Sequence, residues 1–336
     1  MPHLQRHGKV MFFEFGKRPP ALPRIKARSR QMSAHCHIFA ALRTLALYSL
    51  AKNDEASMRN LFILAALVLM PTGVFADKAG VGAWENSSNS MLRWIEEAPA
   101  LDWYYTWRPT QMWTQSRSRR SVEFVPMIRD ASDVTKKIVS DLPVRALLAF
   151  NEPDSRKSEG SNLSVEQAVA LWPKLEARGL RLGSPAVTQG QTLGKSSWQG
   201  RFMAQAEAKG LRVDFMAVHY YSTNGNVKDF ENWLRRVHAE YKRPIWVTEF
   251  AFIDWQNVRG VSYAQNAAFA ESAILMMERL PFVERHAWFA ANPYPYGGAK
   301  PQINLVSNTL QPTPVGVAFD RTLSRLGARR VAQNSE

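Results

Sequence analysis

Two glutamates in this 336-residue chain each close an uninterrupted apolar run. Ala-Leu-Leu-Ala-Phe-Asn-Glu-Pro ends on Glu152 and Ile-Trp-Val-Thr-Glu-Phe-Ala carries Glu249. A carboxylate at the end of a buried strand is costly unless it is paired or used. One such glutamate is as readily a structural ion pair or a helix cap. Two, converging from separate strands, would supply what glycosidic bond cleavage needs: one carboxyl to protonate the leaving oxygen and another to attack the anomeric carbon. Neighbouring carboxylates also bias each other's proton affinity, which keeps one of them protonated as the acid.

The elements that would position them alternate. Short β-branched or aromatic runs fall at 80–84, 102–107, 123–128, 146–151, 181–187, 215–221, 244–250 and 286–291. Segments of helical period lie between most of them, at 90–98, 132–140, 165–178, 197–209, 228–241, 263–279 and 315–326. Ser164 with Gln167 forms a capping box for the third of these, and Gly179 supplies its stop. The link 109–120 is too short and polar for a full helix. Alternation of this kind implies parallel strands joined by helical crossovers. Eight units over residues 77–336 predict an α/β fold, a single-domain (β/α)8 TIM barrel with Glu152 closing strand four and Glu249 strand seven. A doubly wound sheet is the alternative, but Gly80-Val81-Gly82 is followed by Ala-Trp-Glu rather than a phosphate-binding turn.

In a barrel, function gathers where strands end. Those ends also hold Trp84, Tyr105, Trp107, Asn151, His219, Tyr221 and Trp288, an aromatic set suited to stacking on sugar rings. Period-two alternation places His219 and Tyr221 on one face, where at least one is expected to hydrogen-bond Glu249. Trp288 and Trp107 rank first as sugar platforms, ahead of Tyr105 and Trp84. Neither metal-binding histidine spacing nor a nucleophilic serine elbow is present, so no cofactor and no metal are expected.

The net charge of +14 first suggests nucleic acid, but residues 1–76 hold 11 Lys and Arg against 3 Asp and Glu. More than half of the excess therefore lies outside the barrel segment, which shows no basic stripe interleaved with aromatics; nucleic-acid binding is not expected. The one cysteine, Cys36, is also outside it, which excludes disulfides and thiol catalysis from the barrel. Residues 58–76 have a charged start, a short apolar run and a Val-Phe-Ala end, the parts of a secretory signal peptide cleaved after Ala76. The apolar run is too short for a comfortable membrane span. Residues 1–57 are then expected to be a non-native or disordered extension ahead of the true start at Met58. The expectation is a secreted or periplasmic monomer without stable membrane insertion.

Asn-Glu-Pro and Thr-Glu-Phe at these places resemble the clan A glycoside hydrolases. More narrowly, the chain resembles glycoside hydrolase family 128, the endo-β-1,3-glucanases. The likeness is carried in order by Trp103-Tyr-Tyr-Thr-Trp107, Phe124-Val-Pro-Met127, Leu147-Leu-Ala-Phe-Asn-Glu-Pro-Asp154, Gly183-Ser-Pro-Ala186, Asp214-Phe-Met-Ala-Val-His-Tyr-Tyr221 and Ile245-Trp-Val-Thr-Glu-Phe-Ala251. The resemblance implies retaining hydrolysis of a β-glucan, with Glu152 as acid/base, Glu249 as nucleophile and Asn151 on the 2-hydroxyl of the cleaved sugar. A barrel for another β-glycan, β-1,4-mannan or glucan, and a barrel that binds carbohydrate without cleaving it are the alternatives. Departures from the pattern fall at Thr106, Arg129 and Tyr220, near the expected sugar subsites, where the family tends to carry Asn, Trp and Trp.

Overall fold

Parity along each strand decides which side chains fill the barrel. In the second strand Trp103 and Tyr105 point inward, whereas Tyr104 between them packs outward on Phe124 at 5.4 Å. The computed structural model describes residues 78–98, 101–112 and 120–333, with the side chains of 329–333 not described. The expected extension 1–57 and the expected signal peptide 58–76 lie outside the described residues.

The strands are β1 (Ala79–Gly82), β2 (Trp103–Tyr105), β3 (Glu123–Phe124), β4 (Ala146–Leu147), β5 (Arg181–Leu182), β6 (Met216–Ser222), β7 (Ile245–Phe252) and β8 (Val283–Trp288). Six form one parallel sheet in the order β3-β2-β1-β8-β7-β6, and β4 pairs with β5. Parallel bridges from Met127 to Leu148 and from Gly183 to Phe215 join that pair to β3 and β6, so the eight neighbours follow one another around a ring. The regular ladders of β3 and β5 are short because Pro126 and Pro185, just beyond them, have no N–H to give. This is the expected barrel order.

The helices are α1 (Met91–Glu97), α2 (Val165–Glu176), α3 (Trp198–Ala208), α4 (Val227–Tyr241), α5 (Tyr263–Glu278) and α6 (Pro314–Gln333). The capping box on α2 forms as expected, with Ser164 accepting from the Gln167 N–H and Gln167 from the Ser164 N–H, and Gly179 takes φ +70° beyond its end. Among the described residues, no helix is long and apolar enough to cross a membrane.

One expected helix is absent. Residues 132–140 form no helix; a single 3-10 turn, Ala131–Asp133, is capped by Asp130. The carbonyls of Val134 and Lys136 are bonded by the Arg178 guanidinium at 2.8 Å each. Those acceptors are thus withdrawn from a helical ladder.

Inside the barrel Phe215 stacks on Trp246 at 4.1 Å, Trp103 packs tilted against it at 5.5 Å, and Arg285 lies 4.5 Å over Trp246. Glu284 accepts from the Trp246 indole at 2.9 Å and pairs with Arg181. This layer sits at the strand starts and closes the end remote from the two glutamates.

Candidate active site

Glu152 follows β4 in an unusual backbone conformation, with φ +38°. Three backbone hydrogen bonds hold it: its N–H donates to Ala186 at 2.7 Å, and its carbonyl accepts from Ser155 and Ser161. Trp107, after β2, is also left-handed at φ +53°. Left-handed non-glycine residues cost about 1–3 kcal/mol and gather where geometry matters more than stability. Behind Trp107 lies Gly82, where a Cβ would stand 2.5 Å from the indole ring. Only a glycine there lets the ring settle against β1.

Glu249 sits within β7, directly opposite His219 of β6, just past a register shift at Val218 and His219. Its Oε1 accepts from the Trp107 indole at 2.8 Å and lies 3.4 Å from the Tyr105 hydroxyl, and its Oε2 accepts from the Tyr221 hydroxyl. Tyr105 also donates to the Thr248 carbonyl at 2.9 Å. His219 stands between the carboxylates: Nδ1 is 3.1 Å from Glu152 Oε1, and Nε2 is 3.4 Å from Glu249 Oε1, at ion-pair distance without hydrogen-bond alignment. One oxygen of each carboxylate and a nitrogen of His219 all fall within 4.8 Å of one another. Strands four and seven therefore do bring both glutamates to one point.

Their surroundings differ. The Glu249 side chain is 5% exposed and that of Glu152 18%, so water reaches Glu152 more readily. Burial pushes the Glu249 carboxyl above its ordinary value, with the charge of Glu152 adding to it; His219, Tyr221 and Trp107 pull the other way. Burial alone would lower His219, but Glu249, Glu152 and Asp154 outweigh it and hold the imidazole above its usual range. Burial, and then Glu249, push the hydroxyls of Tyr105 and Tyr221 well up, so both remain donors. The same trio is close enough to suggest a divalent cation. Yet an indole N–H and a phenol O–H aim at Glu249, which suits a carboxylate used as an anion, not a metal ligand.

Other expected residues divide. Asn151 is buried, gives its Nδ2 to the Glu159 carbonyl at 3.1 Å, and leaves Oδ1 without a partner, an acceptor suited to a sugar hydroxyl. The backbone of Trp84 is clamped by the Asn292 amide through bonds of 3.0 and 2.9 Å, and its ring lies 5.9 Å from that of Trp107. Trp107 lies 4.6 Å from Tyr105. The expectation for Trp288 is overturned. Its side chain is fully buried, bonded through Nε1 to the Ile303 carbonyl at 2.7 Å, and set edge-on to Phe250 in the helix-facing layer. On β8 the inward position belongs to Ala287, so alternation turns the adjacent Trp288 toward the helices. Phe289 stands 5.8 Å from Trp107 and 5.7 Å from Tyr221. Tyr220 likewise faces outward, stacked 4.0 Å from Phe230, and is no subsite residue. Trp255 and Tyr294, on loops after β7 and β8, extend the aromatic wall beyond the residues expected from the sequence. Their loops have no periodicity from which to infer a direction.

A family model described as the glycosyl hydrolase catalytic core matches residues 81–319. The structure superposes on a family 128 subgroup I endo-β-1,3-glucanase from Amycolatopsis mediterranei in complex with laminarihexaose. That match has a TM-score of 0.61 and 34% identity, covering 73% of this chain and 99% of that one. A subgroup II endo-β-1,3-glucanase from Sorangium cellulosum gives 0.59 and 25%, over 73% and 98%. The alkali-sensitive linkage protein 1 of Schizosaccharomyces pombe is 29% identical over 197 residues, 56% of this chain, which spans 34% of that protein's length. The chain belongs to the glycosyl hydrolase catalytic core family and, within it, to glycoside hydrolase family 128.

Proposed function

We propose that the protein hydrolyses β-1,3-glucan internally and with retention of anomeric configuration. The observation that carries this is the pair Glu152 and Glu249, with carboxylate oxygens within 4.8 Å and His219 between them. Retaining pairs are separated by about 5–5.5 Å, whereas inverting pairs leave room for water at about 6.5 Å or more. The β-1,3 linkage is taken from the Amycolatopsis mediterranei relatives, which hold laminarihexaose and laminaripentaose.

In the first step Glu249 attacks the anomeric carbon while Glu152 gives its proton to the departing glycosidic oxygen. The Glu249 oxygen–carbon bond forms as the carbon–leaving-oxygen bond breaks. In the second step Glu152 takes a proton from water, whose oxygen displaces Glu249. Trp107 and Tyr221 orient the attacking carboxylate, and Asn151 Oδ1 accepts from the 2-hydroxyl.

Glu249→Ala is expected to abolish laminarin hydrolysis while leaving oligosaccharide binding largely intact. Proton NMR of the first product formed should show the β-anomer; an initial α-anomer, or unchanged turnover by Glu249→Ala, sinks the assignment. Product sizing across β-1,3- and β-1,4-linked polysaccharides tests the linkage.

Export belongs to the same reading. Cleavage after Ala76 would release a chain starting one residue before Lys78, whose amine caps the end of α5 through the carbonyls of Met277, Glu278 and Leu280 at 3.2–3.3 Å. N-terminal sequencing of exported protein is expected to begin at Asp77; a start near Met1 would refute this.

A further inference from the structure

The mouth of this barrel is crossed by a strap. β4 and β8 stand opposite each other in the ring, with three strands between them on either side. The loop 153–162 after β4 nevertheless meets the loop 289–313 after β8. Tyr294 donates its hydroxyl to Glu159 Oε1 at 3.2 Å, and Lys157 donates Nζ to the Tyr296 hydroxyl at 3.0 Å.

Both ends are built to hold that contact. On the β8 side Tyr296 and Ala299 bond each other's backbone at 2.8 and 2.9 Å around Gly297 and Gly298, at φ +55° and +75°. That is the two-residue turn in which both central positions are left-handed and Gly-Gly is favoured. It presents Tyr296 rigidly, packed 4.8 Å from Trp255. On the β4 side Arg129 bonds the Ser158 carbonyl at 2.5 Å, Asn151 bonds that of Glu159, and the Gly160 N–H closes a turn on Lys157 at 3.0 Å. Arg129, a departure from the family pattern, thus has a place: it pins the strap rather than stacking on sugar.

The strap parts the mouth into one side carrying Trp84 and Trp107 and another carrying Tyr221 and Trp255. Yet Trp107 bonds Glu249 from across that line at 2.8 Å, and Tyr294 lies against Trp84, Phe289 and Trp255. A glucan that spans both sides of the carboxylates therefore has to pass this bridge.

We propose that the Lys157–Tyr296 and Glu159–Tyr294 bridge is a gate that selects substrate by chain topology, admitting short oligosaccharides freely and long glucan only on opening. The substrate named here rests on the β-1,3-glucan reading. Lys157 is exposed and Tyr296 partly so, and a hydrogen bond between groups that water also solvates opens readily.

The test compares Lys157→Ala and Tyr296→Phe with the parent full-length protein. Each removes the same bond from a different side. Both variants are expected to raise kcat/KM on long-chain laminarin severalfold and to leave that on laminarihexaose within twofold. A ratio of the two values unchanged from the parent, or a joint fall on both substrates, overturns the gate. Hydrogen exchange over residues 153–162 reads the strap without substrate. It should quicken in both variants, and unchanged exchange overturns the bridge itself. If the parent cleaves neither glucan, the β-1,3-glucan reading fails, while the exchange measurement still decides whether the bridge exists.

Discussion

The Trp107 indole donates to Glu249 Oε1 at 2.8 Å, from a residue after β2 to one within β7. This bond favours the ionised carboxylate against the burial that opposes it. Trp107→Phe keeps an aromatic ring and removes the donor. The Glu249 carboxyl should then rise further, so the acid limb of the kcat/KM profile should move to higher pH. At neutral pH kcat/KM is expected to drop by about tenfold, the scale of one lost hydrogen bond to a charged group. A drop with no displacement of the acid limb would mean that the ring, not the N–H, is what matters.

Stability should run against activity at this site. The folded-state value of Glu249 is raised from its ordinary 4.5 by burial, and that of His219 from 6.5 by the carboxylates that overcome its own burial. A raised group adds stability that is fully present below its unfolded value and is lost as pH rises through its folded value. Both shifts have this sign, so the site favours the folded state in acid and weakens it as pH climbs from about 4.5 to beyond 6.5. Glu249→Gln removes the buried charge. Its Tm at pH 7 should rise by a few degrees, equivalent to about 1 kcal/mol, as activity vanishes. Thermal melts from pH 4 to 8 check this; a variant no more stable than the parent at pH 7 counts against the burial argument.

How far the sequence reaches can be judged residue by residue. Glu152, Glu249, His219 and Tyr221 were legible because each ends or lies in a strand whose apolar run fixes its limits, and parity then assigns the face. Trp288 was not, because nearness to a strand end does not fix a face: Ala287 takes the inward position, which turns Trp288 toward the helices. The absent helix at 132–140 depended on Arg178, more than 40 residues away, taking its carbonyls. The strap was beyond reach, because a tyrosine in one loop meeting a glutamate 135 positions earlier leaves no local pattern.

The proposed mechanism gives Glu152 two duties, and leaving-group chemistry separates them. Glu152→Gln cannot protonate a sugar leaving group, so turnover of laminarin should fall by about 10²–10⁴-fold. An aryl β-glucoside with an acidic phenol leaves without that proton, so its first step should survive and the glycosyl-enzyme on Glu249 should accumulate. Azide, which needs no general base, should then restore turnover and yield a β-glycosyl azide. Mass spectrometry of the quenched protein and analysis of the azide product read both effects. Equal loss on polymer and aryl glycoside, without rescue, would take the acid/base role from Glu152.

Gly82 offers a test of how the scaffold aims the site without touching substrate. A Cβ there would lie 2.5 Å from the Trp107 ring and 3.1 Å from the Tyr105 hydroxyl, so Gly82→Ala must displace one or both. Trp107 is held left-handed and partly buried, and it has the less room to yield inward because Tyr105 lies 4.6 Å away. Overpacking of this kind costs about 1–3 kcal/mol. Displacing the indole also breaks its bond to Glu249, so activity should fall in step with Trp107→Phe. The double variant Gly82→Ala with Trp107→Phe should then lose little more activity than either alone, since both act through the same bond. Independent, multiplying losses in kcat/KM would show that Gly82 acts on the site by a route other than Trp107.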